Sequence, residues 1–99
     1  MTRIENAKIM VVDDMPNNLR LLDKMLTGSG YQVSCFPKGA LAIKSAKRNP
    51  PELILLDINM PEMNGYEVCK RLKADSQLSH IPIIFISALN NTEDKIMAF

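Results

Sequence analysis

The chain has 99 residues, 46% hydrophobic and 23% charged, which suits one small globular domain and excludes both a second domain and a disordered tract. Twelve Lys and Arg against eleven Asp and Glu leave a formal charge of +1. That balance gives no electrostatic footprint for nucleic acid or an anionic membrane, and no apolar run approaches the ~20 residues of a membrane span.

The predicted elements alternate in type along the chain. Ala7 to Val12 is a short run of strand formers that stops at Asp13-Asp14. Pro16 opens a segment with Leu19, Leu22 and Leu26 at helical spacing, closed by Gly28 and Gly30. Tyr31 to Phe36 alternates like a strand. Ala40 to Arg48 reads as a helix with Ala42, Ile43 and Ala46 inward, stopped by Asn49-Pro50-Pro51. Leu53 to Leu56 is apolar on both faces and ends at Asp57. Tyr66 to Ala74 is helical, with Val68, Cys69 and Leu72 on one face. Pro82 to Ile86 is a second two-faced strand and ends at Ser87. Thr92 to Phe99 is expected to open a last helix, with Glu93 and Asp94 near its positive end.

Strands apolar on both faces need cover on both faces, and helical crossovers supply it. The expected fold is therefore α/β, a doubly wound parallel sheet formed by residues 1–99 as a single domain. The polar opening MTRIENAK lacks the apolar core of a signal peptide. Two cysteines, Cys35 and Cys69, are too few for a disulfide framework, so reduced thiols in a cytoplasmic protein are expected.

In an open parallel sheet, ligands bind beyond the carboxyl ends of the strands. Here those ends carry Asp13-Asp14, Asp57 and Ser87. Taken singly, each has a structural reading as a cap, a turn or a loop hydroxyl. Together on one rim they describe an anionic cleft, in which each close carboxylate pair repels by about 1–4 kcal/mol depending on exposure. A hard divalent cation such as Mg²⁺ relieves that repulsion and takes few protein ligands. A carboxylate beside it can attack phosphorus. Asp57 ends a fully apolar strand and is the candidate nucleophile. Asp13 and Asp14 are the candidate metal-side acids, and Ser87, with the small Ala88 beside it, a candidate phosphate contact. Gly65 is expected where backbone near the site leaves no room for a side chain. His80 lies in a polar loop and is expected to be solvent-exposed. Met15, Met60 and Met63 are expected to fill space around the cleft. An EF-hand reading of Asp57-Ile58-Asn59 fails, because Glu62 and Val68 stand where Gly and Glu are required. A haloacid-dehalogenase-type phosphatase needs a second Asp where Asn59 stands.

The segments VVDDMPNN, LLDINMPEMNGYEV and IPIIFISALNN resemble the receiver domain of two-component response regulators, from about Ala7 to Phe99. The resemblance implies a flavodoxin-like sheet of order 2-1-3-4-5 and phosphoryl transfer from a sensor histidine kinase to Asp57. It implies Mg²⁺, with Mn²⁺ able to substitute, on Asp14, Asp57 and the Asn59 carbonyl, with Asp13 acting through water. Ser87 becomes the switch hydroxyl, and the backbone N–H groups of Asn59 and Ala88 contact the phosphate. The partners implied are the kinase and an output domain or downstream effector. The stretch HIPIIFISALNNTEDK is most similar to receivers fused to outputs that make or degrade cyclic dinucleotides. No enzymatic turnover is expected. The family's fifth strand, ending in Lys-Pro, and its fifth helix have no counterpart in the chain. The expected order is thus 2-1-3-4, with impaired phosphotransfer and with self-association through an exposed fourth-strand edge. Two other functions remain open at this point, a non-signalling dimerisation fragment and a small Mg²⁺-dependent phosphohydrolase.

Overall fold

The computed structural model describes residues 6–86 and the strand Ile96–Ala98. The four apolar runs form the parallel strands β1 (Lys8–Val12), β2 (Gln32–Phe36), β3 (Leu53–Asp57) and β4 (Ile83–Ile86). Between them lie α1 (Pro16–Gly28), α2 (Gly39–Arg48) and α3 (Gly65–Ala74). β1 pairs with both β2 and β3, and β3 pairs with β4, giving the expected order 2-1-3-4.

Side-chain alternation divides the interior between the two faces of the sheet. Met10 and Val12 of β1, Ile54 and Leu56 of β3, and Ile83 and Phe85 of β4 form one cluster with Ala42 and Ala46 of α2 and Val68 and Leu72 of α3. Ile9 and Val11 point the other way, where α1 lies against β1 and β2. The central strand β1 is buried from Ile9 to Val12, whereas the edge strand β2 exposes Gln32 and Ser34. Edge and centre are thus legible in the burial as well as in the pairing.

The boundaries of α1 and α3 have local causes. Pro16 occupies the first turn of α1, where a missing N–H costs nothing. At the other end Gly30 takes a φ of 96°. Its N–H donates to the Thr27 carbonyl at 3.0 Å, and the Tyr31 N–H donates to the Leu26 carbonyl at 3.1 Å. This pair of bonds is a Schellman closure, which needs a left-handed residue. Gly30→Ala is expected to lower stability by about 1 kcal/mol, read as an earlier urea midpoint with unchanged slope. α3 starts at Asn64, whose side chain accepts the Glu67 N–H at 3.0 Å. Lys73 closes the turn after α3, donating to the carbonyls of Ser79 and Ile81 at 3.0 and 2.9 Å.

Two expectations are corrected at the far edge of the sheet. Within Thr92–Phe99, residues Ile96–Ala98 are not helical but form a fifth strand, β5, antiparallel to β4 with Ile84, Phe85 and Ile86 opposite Ala98, Met97 and Ile96. Residues 92–95 and 99 lie outside the described residues. The sheet order is therefore 2-1-3-4-5, with a short antiparallel fifth strand, rather than four strands ending at β4. The bare fourth-strand edge on which self-association was expected is occupied over Ile84–Ile86. The cause is backbone accounting. Unpaired N–H and C=O groups along an apolar strand draw in the nearest apolar segment, and an antiparallel return needs no helical crossover. A helix of two turns gains too little to repay its nucleation.

Candidate metal and phosphoryl site

The order 2-1-3-4 places the switch of chain direction between β1 and β3, and both strands end in acid at that point. Asp13 follows β1 directly, its N–H donating to the Phe36 carbonyl at 3.1 Å, so the end of β2 fixes it. Asp57 is the last residue of β3. Asp14 sits beside Asp13 and is half-buried. One carboxylate oxygen from each of Asp13, Asp14 and Asp57 lies within 4.8 Å of the others. The three acids expected to converge are therefore brought together, although 44 positions separate Asp13 from Asp57.

Their surroundings differ. Asp13 is 1% exposed and has both oxygens engaged, Oδ1 by the Met15 N–H at 2.9 Å and Oδ2 by the Asn18 Nδ2 at 3.1 Å. Burial still pushes its pKa up, against those two hydrogen bonds. Asp57 is 3% exposed, and its buried Oδ1 has no hydrogen-bond partner among the described residues. Burial, then the charges of Asp13 and Asp14, push its pKa up to about 7, opposed by the backbone N–H groups of Asn59 and Ile58.

The loop after β3 is built around this acid. Glu62 has a φ of 69°, and the Met63 N–H donates to the Pro61 carbonyl at 2.7 Å, a γ-turn with a left-handed residue at its centre. The loop then returns so that the Gly65 N–H donates to the Ile58 carbonyl at 2.9 Å. A Cβ on Gly65 would collide with the Asp57 carbonyl oxygen and come within 2.9 Å of the Ile58 Cα. The close backbone approach expected at Gly65 is present. Gly65→Ala is expected to cost about 1–3 kcal/mol, because the colliding atoms are backbone. Chemical denaturation measures that loss, and an unchanged midpoint would contradict the tight approach.

The remaining candidates sort as follows. Asn59 is exposed on the loop. Met60 is 8% exposed, Met63 is half-buried and Met15 is 43% exposed. His80 is exposed. Cys35 and Cys69 are free thiols, each half-buried. Ser87 and Ala88 lie outside the described residues. Two residues had escaped the sequence reading. Asn18 shares the helix face of Leu21, Leu22, Met25 and Leu26, and a polar residue on that apolar face, five positions after Asp13, is the signal that could have found it. Glu62 gives no local sign that it adopts a left-handed conformation.

The acids fit a hard divalent cation on structural grounds: an all-carboxylate donor set, like charges crowded with no counter-charge among the described residues, and a buried orphan oxygen on Asp57. Residues 9–99 match the family model described as the response regulator receiver domain. The response regulator PleD of Caulobacter vibrioides is 45% identical over 91 residues, which is 92% of this chain and 20% of PleD. A Vibrio cholerae protein named "Probable cyclic di-GMP phosphodiesterase" is 35% identical over all 99 residues, 22% of its length. The chain thus spans about a fifth of these relatives. The solved receiver domain of a Pseudomonas aeruginosa sensor histidine kinase, with a magnesium ion coordinated in its active site cleft, has a TM-score of 0.80 at 30% identity. That match covers 89% of this chain and 72% of that one.

Proposed function

The chain belongs to the response regulator receiver domain family, and from that premise we propose that it is a phospho-acceptor module in which Asp57 takes a phosphoryl group from a sensor histidine kinase. The single observation carrying this reading is the buried Oδ1 of Asp57, unpartnered among the described residues, at the meeting point of three acids. A purely structural carboxylate in that position would have a hydrogen-bond partner.

Asp14 and Asp57 would hold Mg²⁺ together with the Asn59 carbonyl, with Asp13 as the supporting acid beside them. When bound, the cation neutralises charge on the transferring group. The chain's residues supply the rest. An Asp57 carboxylate oxygen forms the new bond to phosphorus as the nitrogen–phosphorus bond of a phosphohistidine breaks, and the departing imidazole takes up a proton. The backbone N–H groups of Asn59 and Ala88 and the hydroxyl of Ser87 receive the phosphoryl oxygens. Gly65 keeps side-chain bulk away from this point. The module carries one phosphoryl group per cycle and does not turn over as an enzyme.

Its partners are the kinase and an output unit or downstream effector. The likeness to the Vibrio cholerae relative supports an output that acts on a cyclic dinucleotide. No helix among the described residues is long and apolar enough to cross a membrane, in keeping with a cytoplasmic module.

Acetyl phosphate with Mg²⁺, followed by intact-mass measurement, tests the proposal. The expected result is a stoichiometric gain of ~80 Da that is absent in Asp57→Asn. Absence of any adduct in a protein that still binds Mg²⁺ would favour a non-signalling interaction module. Sustained release from phosphate esters would favour a phosphohydrolase.

A further inference from the structure

Asn18 is the only buried residue of α1, at 6% exposure, while Leu19, Leu22 and Leu26 of the same helix remain half-buried. A polar side chain is thus interred where the leucines are not, a cost that only well-made hydrogen bonds offset. Its Nδ2 donates to Asp13 Oδ2 at 3.1 Å and lies 3.8 Å from the Met15 sulfur. The amide must present its nitrogen here, because an ionised carboxylate only accepts. The other Asp13 oxygen takes the Met15 N–H. Two donors from the opening of α1 therefore grip the two oxygens of one acid and fix its rotation about Cβ–Cγ. Asp57 Oδ1, a few ångströms away, is left without a partner among the described residues.

We infer that Asn18 is a positioning residue of the divalent-cation site, orienting the Asp13 carboxylate toward the space it shares with Asp14 and Asp57. The inference rests on the metal reading given above and adds a residue to it. The physical reason is preorganisation. A carboxylate free to rotate must be ordered when the cation arrives, whereas one already held loses nothing. Groups that orient direct metal ligands characteristically change affinity by 10–100-fold when removed, and for an acid that acts through water the low end of that range is expected. A merely structural Asn18, serving only to satisfy a buried acid, would affect stability and leave cation affinity alone.

Two measurements separate these roles. In the unsubstituted protein, the Asn18 side-chain NH₂ resonances are expected to shift during a MgCl₂ titration with the same midpoint as the Ile58 and Asn59 backbone amides. In Asn18→Leu and Asn18→Ser, calorimetric titration with MgCl₂ is expected to show about tenfold weaker binding. The Mg²⁺ concentration giving half-maximal phosphorylation should rise in step. Folded variants that bind Mg²⁺ as tightly as the parent would overturn the inference while leaving the metal reading intact, as would Asn18 resonances that stay fixed while those of Ile58 and Asn59 move. An unsubstituted protein showing no Mg²⁺-dependent shift at all would overturn both. Should the variants fail to fold, the resonance titration decides by itself.

Discussion

Metal-free Asp57→Asn protein is expected to melt about 5–10 °C above the parent at pH 8. The reason is the environment of the acid. Asp57 has its pKa pushed from 3.8 to about 7 by burial and by the charges of Asp13 and Asp14. Between those two values the folded chain holds a proton that the unfolded chain has released. Stability therefore falls as pH rises through this window, by about 1.4 kcal/mol per unit at the steepest. Above pH 7 the whole penalty is present, and an amide removes it. Part of the gain is lost again, because a buried Asn has hydrogen-bonding needs of its own, so about 1–2 kcal/mol should remain. At pH 4 the parent acid is protonated and the ionisation penalty is gone while the cost of the amide stays, so the variant should melt at or below the parent there. Asp14→Asn should act in the same direction more weakly, since Asp14 is partly solvated and only one of two neighbouring charges. Calorimetric melts at pH 4 and pH 8 check this. Variants melting below the parent at pH 8, or by the same margin at both pH values, would refute the crowded-acid account.

Mg²⁺ at a hundred times its dissociation constant should stabilise the parent by about 2.7 kcal/mol at pH 8, an effect that EDTA removes. Asp57→Asn should lose most of it. The pH dependence follows from the same acid. Below about pH 7 the cation must displace a proton from Asp57, so apparent affinity should fall toward tenfold per pH unit. Titration calorimetry at pH 6 in buffers of different ionisation enthalpy should reveal proton release that is nearly absent at pH 8. Equal affinity and no proton release at pH 6 would show that the cation does not meet Asp57.

The parts of the fold that were legible in the sequence were those with a local signal. Pro16 and Gly30 bracket α1 because one lacks an N–H that the first turn does not use and the other accepts a φ of 96°. The strands announced themselves as apolar runs, and Asp57 as a charge at the end of one. The meeting of Asp13 with Asp57 followed from topology, since parallel strands joined by crossovers end at the same rim. What escaped was set by tertiary context. Ile96–Ala98 reads as readily as a helix as a strand, and the partner that decides is the edge of β4. Glu62 is held in a left-handed conformation by a loop closed at both ends, which its residue type does not foretell. Asn18 stands at i, with Leu21, Leu22, Met25 and Leu26 at i+3, i+4, i+7 and i+8, so a helical wheel already places it on the apolar face of α1; what the sequence does not give is the acid that satisfies it there.

The most direct measurement is an anomalous difference map from crystals of the protein grown with Mn²⁺, a scatterer that locates the cation without assuming its ligands. The expected map has one strong peak within ~2.0–2.3 Å of oxygens from Asp14 and Asp57, with Asp13 on the opposite side of an intervening water. A protein that stays metal-free at that rim under saturating Mn²⁺, or that gathers the ion elsewhere on its surface, would contradict the account.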